Sequence, residues 1–404
     1  MIAVLKKGSN LREEEGSMQF MGYRRPDGRV GIRNHILILP ASVCASDTTR
    51  MIAAQLEGAV TFNYQNGCSQ TQSDQKLTMD IMAGFAANPN IYGTIVVSLG
   101  CENCQASLVE ETIRERTCKP LRSFVIQENN GTLNTVRLAV AAGIEMLRDA
   151  AKVRREPCDI SELILGTQCG GSDPTSGLSA NLVIGEVSDR LVALGGTSVL
   201  TDTSELIGAE HILAARAKTP EVARKIYDMI ERTEVYIREI GGEDVRDSNP
   251  TLGNIESGIT TLEEKSLGCI HKGGHAIINN VYGYAQQIEE KGLVIMDSSS
   301  HDPTCVAALV AGGCQVVIFS TGLGTPTGNP IAPVIKITGN RDTFRKMRDN
   351  TDFDTSGIMY GEKTVEESAN ELFDLMVEVA NGAKPAAELL GFTEIAIDRV
   401  CNYT

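Results

Sequence analysis

Short runs of apolar and β-branched residues, each ending in small or polar residues, alternate with longer helix-like stretches along most of the chain. That alternation marks strand–loop–helix units and restricts the fold to the α/β class with mainly parallel sheets. The clearest strands fall at 36–39, 94–99, 123–126, 163–165, 198–200, 293–296 and 316–319, and helices are expected over 47–56, 133–152, 205–218, 220–238 and 365–381. At 404 residues the chain exceeds one ordinary core and suits two domains. The charged stretch 148–156 divides it into an N-terminal α/β domain over 21–155 and a C-terminal one over 156–404, after a flexible leader over 1–20, with 241–253 a polar connection inside the second. In sheets of this kind ligands bind in loops at the strand carboxyl ends.

Composition removes several classes. A formal charge of −15 argues against a nucleic-acid binder, which needs a basic face, yet leaves room for a small anion held by a few focused arginines. No apolar run approaches the ~18 residues of a membrane span. The first residues lack the order of a secretion signal, and the 11 cysteines read as reduced thiols, so a cytoplasmic location is expected.

The thiols carry the strongest chemical signal. TFNYQNGCSQ, TIVVSLGCENC and ELILGTQCGGSD place Cys68, Cys101 and Cys169 after apolar runs, where strand ends from distant parts of the chain converge. For any one of them a small buried residue at a tight turn is the competing reading. As a set they suit iron or zinc, and three thiolates leave a position open for substrate. Cys101 and Cys104 form a lone CxxC with no second pair and no thioredoxin-like context. HKGGH at 271–275 reads as a loop, since its two glycines oppose a helix, and GTPTGNP at 324–330 lacks the lysine of a phosphate loop.

GYRRPDGRVGIRNH gathers Arg24, Arg25, Arg29 and Arg33 around an Asp-Gly turn, and arginine forks match carboxylates. Asp297 and Asp302 flank SSSH after a strand, in ligand-crevice positions. Glu205 and Glu210 either serve catalysis or cap a helix, and Lys265 either reaches substrate or belongs to a solvated face.

GYRRPDGRVGIRN, NGCSQ, SLGCEN, GTQCGGSDPTSGLSAN, TSELIGAEH, NPTLGNIESGITTLEEKSLG and the stretch from MDSSSHDP to TGNPIAPVIK together resemble successive motifs of the altronate/galactarate dehydratases, from about Gly22 to the chain end. The resemblance implies β-elimination of water from a sugar acid, with ferrous iron or a closely related metal as cofactor, and the three thiols suit either a mononuclear iron or an iron–sulfur cluster with one open iron. It implies acid–base work among Glu205, Glu210, Lys265, His301 and Asp302. Substrate contacts would fall to Arg24, Arg29, Arg33, Asn34, Ser172, Asp173, Asn254 and Asp297, and metal ligation to Cys68, Cys101 and Cys169. Family members often carry a small SAF-type domain not seen in this sequence, so a small subunit of that type is an expected partner, alongside a homo-oligomer. The MDSSS and NPIAPVIK strings resemble the sulfolactate sulfo-lyase branch, whose leaving group is sulfite, whereas GCSQ, GCEN and HDP resemble the sugar-acid branch. A non-catalytic scaffold or metal-sensing subunit is the reading from a different class.

Overall fold

The computed structural model describes residues 18–401. Its strands, in chain order, are β1 (Gln19–Arg24), β2 (Val30–Gly31), β3 (His35–Pro40), β4 (Ala59–Val60), β5 (Ile91–Ser98), β6 (Leu121–Val125), β7 (Glu156–Asp159), β8 (Ile164–Cys169), β9 (Thr197–Leu200), β10 (Ile278–Tyr282), β11 (Gly292–Met296), β12 (Val316–Ser320), β13 (Val334–Thr338) and β14 (Phe353–Asp354). A four-stranded parallel sheet runs β4-β3-β5-β6, and a seven-stranded parallel sheet runs β10-β11-β9-β8-β12-β13-β14. This is the two-unit α/β architecture that the strand–helix alternation predicts. The units are tied by a small antiparallel sheet, β2-β1-β7, whose hairpin turns at Gly28 with φ +86. Alternation along the chain does not announce that sheet, because its strands come from distant segments.

Both large sheets are buried on two faces, so their strands are near-continuous apolar runs. The units share one core: helix Gln72–Ala87 of the first lies against helix Asp302–Gly312 of the second. A side-chain carbon at Gly84 would lie 2.5 Å from the Ala311 carbonyl, so this contact requires glycine. Asn88 and Asn90 donate across the joint to the carbonyls of Val310, Cys314, Gln315 and Ile331. On the other face of the large sheet, helices Asn181–Ala193 and Val365–Ala380 cover β8, β12 and β13.

Two expectations change. The helix expected over 205–218 breaks into a 3-10 turn, Thr203–Leu206, and a short helix, Glu210–Ala214. Gly208 between them sits at φ +86, with Glu263 where a side chain would go. Gln19 and Phe20, assigned to the leader, begin β1, and Phe20 is buried; residues 1–17 of that leader lie outside the described residues. Among the described residues no helix is long and apolar enough to cross a membrane.

The strand order places the chemistry. From β8 the sheet grows one way through β9 and the other way through β12, and at such a switch point the loops after the strands part to leave a crevice. Cys169 is the last residue of β8, Asp202 follows β9, and Asp297 and Ser298 follow β11.

Candidate active site

Cys169 lies at the centre of a buried cluster. Its sulfur is 2.9 Å from the Ser172 hydroxyl, and the Asn181 amide reaches it at 3.9 Å while also donating to the Gly268 carbonyl at 3.0 Å. Cys269, at the end of helix Leu262–Cys269, stands beside it. Cys169, Glu205 and Cys269 present ligand-type atoms within 4.8 Å of one another, the one such trio among the described residues. The two Glu205 oxygens each hold an ammonium: Lys272 at 3.1 Å and Lys265 at 3.3 Å, with Lys272 fully buried. A cavity of about 260 Å³ opens beside this cluster, reaching Ser172, Asn181, Lys265 and Cys269.

A second group stands on the same strand ends. The Gln168 amide donates to Asp202 at 3.2 Å and to Asp302 at 3.1 Å, and its carbonyl oxygen is buried without a partner. An acceptor left unsatisfied beside two carboxyls is suited to a bound hydroxyl. Asp202 is held at φ +74, a strained backbone for a residue with a side chain, and strain of this kind collects at functional sites. Gly170 is required here: a side-chain carbon on it would lie 2.3 Å from the Asp302 carboxylate.

The charges follow from burial and neighbours. Burial alone would raise the Glu205 carboxyl, but Lys272 and Lys265 outweigh it and hold it below its ordinary value. Burial disfavours both ammonium groups, yet Glu205 keeps them charged. A hydrogen bond from the Cys269 thiol brings Cys169 down to about 7, against the effect of burial, while Cys269 is pushed well up. Burial, with Glu205 nearby, lifts Asp202 to about 8, and burial lifts Asp302 to about 6 despite the Gln168 hydrogen bond. The arrangement thus pairs a carboxyl protonated at neutral pH with one that is ionised, the division of labour that acid–base chemistry needs.

Two thiols and a carboxylate are also a donor set that a soft divalent metal accepts, so the site is compatible with one. Because the Glu205 oxygens already carry two ammonium groups, the sulfurs are the principal donors. The trio depends on a glycine contact: a side-chain carbon on Gly268 would lie 3.0 Å from the Gly177 backbone. Gly268→Ala is therefore expected to push helix Leu262–Cys269 outward, cost about 1–3 kcal/mol by overpacking and lower turnover. Urea unfolding and steady-state rates check both effects; unchanged rates would show that the Cys269 position is immaterial.

Of the residues singled out from sequence, Glu205, Lys265, Asp302, Cys169 and Ser172 come together. Asn254 supports them by donating to the Ser172 carbonyl at 2.7 Å. Asp173 lines the cavity, but its carboxylate accepts from Thr175, Ser176 and Asn340, which fixes the loop. Asp297 is bound to Thr203 and Arg232. Exposed His301 precedes helix Asp302–Gly312 and contacts Thr304, and Glu210 has one buried oxygen without a partner. Cys68 and Cys101 are not in the trio: both belong to the four-stranded unit, Cys68 half-buried in the long loop after β4 and Cys101 exposed after β5. Cys269 is the second thiol of the trio. Cys269, Lys272, Gln168 and Asp202 join the cluster without a signal in the sequence that singles them out. Lys272 sits inside HKGGH, whose His271 lines the cavity while His275 pairs with Asp189.

The arginine segment is placed elsewhere. Arg24 pairs with Glu156 and Glu162, and Arg29 with Asp27 and Gln287. Buried Arg33 forks onto Glu388 and donates to the carbonyls of Ile32, Val379 and Ala383, while Asn34 bridges Arg25 and the Ala150 carbonyl. The Arg29 contacts lie at the amino ends of the large sheet, near the starts of β8, β9, β11 and β12. Strands of six residues such as β8 put roughly 20 Å between the two edges. The guanidinium groups of Arg24, Arg29 and Arg33 donate to protein acceptors, so the segment joins the units. Arg33→Lys is expected to cost about 1–3 kcal/mol and leave kcat/KM unchanged, which chemical denaturation and rate measurements check together.

Comparison with known proteins agrees with this architecture. Residues 160–402 match the family model described as D-galactarate/altronate dehydratase, C-terminal, and residues 22–151 match D-galactarate dehydratase/altronate hydrolase, second domain. The chain is 38% identical to the (2R)-sulfolactate sulfo-lyase subunit beta of Chromohalobacter salexigens, covering 94% of this chain and 97% of that protein. It is 34% identical to the altronate dehydratase of Escherichia coli over 93% of this chain and 76% of that one, and 31% identical to the galactarate dehydratase (L-threo-forming) of the same organism over 90% and 73%. On this likeness along nearly its whole described length, the chain belongs to the D-galactarate/altronate dehydratase family and is an enzyme of the hydro-lyase type.

Proposed function

We propose that the protein removes water from a sugar acid of the altronate or galactarate type, giving a 2-keto-3-deoxy acid, and that it uses a soft metal, iron, at Cys169 and Cys269. The observation that carries this reading is the Gln168-bridged pair Asp302 and Asp202, divided into base and acid, beside buried Lys272 and the cavity-wall Lys265. Asp302 takes the proton from the carbon next to the substrate carboxylate. Lys265, at the cavity wall, stabilises the charge that develops on that carboxylate, with Lys272 reinforcing it through Glu205. Asp202 gives its proton to the departing hydroxyl, which leaves as water, and the enol product becomes the keto acid. When bound, the metal supplies Lewis acidity toward a substrate oxygen.

One observation favours a second reading, loss of sulfite from sulfolactate: this chain is 38% identical to the sulfo-lyase subunit beta and 34% identical to the Escherichia coli altronate dehydratase. The word subunit in that relative's name also supports a small partner subunit here. The test is to incubate reduced, iron-supplemented protein, with and without a small partner subunit, with altronate, galactarate and sulfolactate, and to measure keto acid and free sulfite. Keto acid from a sugar acid without sulfite is expected. Sulfite from sulfolactate, with both sugar acids unconverted, overturns the first reading in favour of the second.

A further inference from the structure

Far from the reacting groups, at the amino edge of the four-stranded sheet, a cavity of about 700 Å³ lies between the β1–β2 hairpin and the segment joining helix Ala106–Arg116 to β6. Its wall contains Arg24, Arg25, Arg114, Lys119 and Arg122, and no aspartate or glutamate. In a chain of net charge −15 this is a concentration of one sign in a concave, partly apolar setting, the condition under which a protein's field gathers anions.

The cations differ in how they are held. Arg24 is neutralised by Glu156 and Glu162. Arg25 is buried and donates to the Pro89 and Arg33 carbonyls and the Asn34 side chain, all uncharged. Lys119 is buried and donates to the Asn88 and Ile91 carbonyls, again uncharged. Among the described residues, exposed Arg114 and Arg122 donate to the Lys119 and Leu121 carbonyls and form no ion pair. Asp27, the carboxylate that acts on both members of the buried pair, is bonded to Arg29. Buried charges are ordinarily paired, and an unpaired one is costly. Burial accordingly draws Arg25 down to about 10 and Lys119 well below its usual value.

We propose that this cavity is a binding site for a small phosphate-bearing metabolite, separate from the reaction site. The anion supplies the missing counter-charge, Arg114 and Arg122 close on it from the rim, and Tyr92, Pro120, Leu121 and Val153 receive the uncharged part of the ligand. A ligand there bridges the hairpin, which is bonded to the second unit through Glu156, Glu162 and Gln287, to the body of the first. Occupancy therefore stiffens the joint between units, as an effector would.

The probe is inorganic phosphate, with sodium chloride at matched ionic strength as the screening control and citrate as the carboxylate arm. Two readouts are followed on the full chain: thermal unfolding, and the alkylation rate of Cys118, an exposed thiol on the cavity wall, mapped by mass spectrometry with exposed Cys44 as the internal reference. Phosphate is expected to raise the unfolding temperature saturably and to slow alkylation at Cys118 but not at Cys44. The Arg114→Ala/Arg122→Ala variant, which breaks no ion pair, is expected to weaken both effects at least about tenfold, as the loss of charge-assisted hydrogen bonds implies. Citrate matching or exceeding phosphate overturns the phosphate assignment. A phosphate effect equal to that of sodium chloride, or one unchanged in the double variant, overturns the site.

Discussion

Glu205→Gln is expected to cost the protein about 3–5 kcal/mol, the range for breaking a buried ion pair from one side. The substitution keeps the shape and removes only the charge, yet Lys272, with no exposed surface, and Lys265 then face each other as ammonium groups with no carboxylate between them. Glu205 is the leading attraction acting on each of them, so its loss lets burial prevail and one lysine gives up its proton. Turnover is expected to fall by about 10²-fold or more, because a preorganised cation at the substrate carboxylate is lost. Urea unfolding measures the first effect and initial rates the second. The Glu205→Gln/Lys272→Met double variant is expected to recover part of the stability, since the stranded charge goes with the lysine, but none of the rate. A single-variant cost below about 1 kcal/mol would mean that the three groups do not behave as a buried charged cluster.

What was legible in the sequence, and what was not, follows from the range of the forces involved. Strands such as β3, β9, β11 and β12 were readable because parallel strands buried on both faces are local apolar runs. Cys169 and Asp302 can be picked out because each stands in a turn-rich motif beside an apolar run, and Glu205 and Lys265 because they lie in motifs that resemble those of the family. Cys269 and Lys272 cannot. Their importance arises from helix Leu262–Cys269 crossing residues 176–180 at the Gly177–Gly268 contact, a packing event between segments far apart in sequence. Lys272 further carried the ordinary expectation that lysine is solvated. The arginine segment shows the opposite error: a cluster of forks suits a substrate carboxylate and equally suits carbonyls and glutamates of a domain joint, and only the strand polarity distinguishes the two.

Asp302→Asn is expected to make the protein more stable and less active at neutral pH. Burial holds the folded Asp302 pKa near 6, above the ordinary 3.8 that it regains on unfolding. For a group whose folded pKa is raised, the favourable contribution is complete below about pH 4 and disappears as pH climbs through about 6, because the unfolded chain releases its proton first. Above pH 6 the wild type therefore carries a buried carboxylate that asparagine does not, and the variant is expected to gain up to about 2–3 kcal/mol there. Below pH 4 the difference should vanish, since both side chains are then neutral. Activity moves the other way: without the base, kcat/KM is expected to fall by about 10²–10⁴-fold. The wild-type profile should show an acid limb near pH 6 and a basic limb near pH 8, where Asp202 loses the proton that it gives to the leaving hydroxyl. These limbs belong to the coupled pair that Gln168 bridges, so removal of Asp302 also shifts the basic limb downward, one neighbouring negative charge having gone. Thermal unfolding between pH 4 and 8 and rate profiles over the same range decide the matter. A variant that keeps its activity and loses stability at pH 8 would make Asp302 a structural cap on helix Asp302–Gly312 and return the search for the base to Cys169.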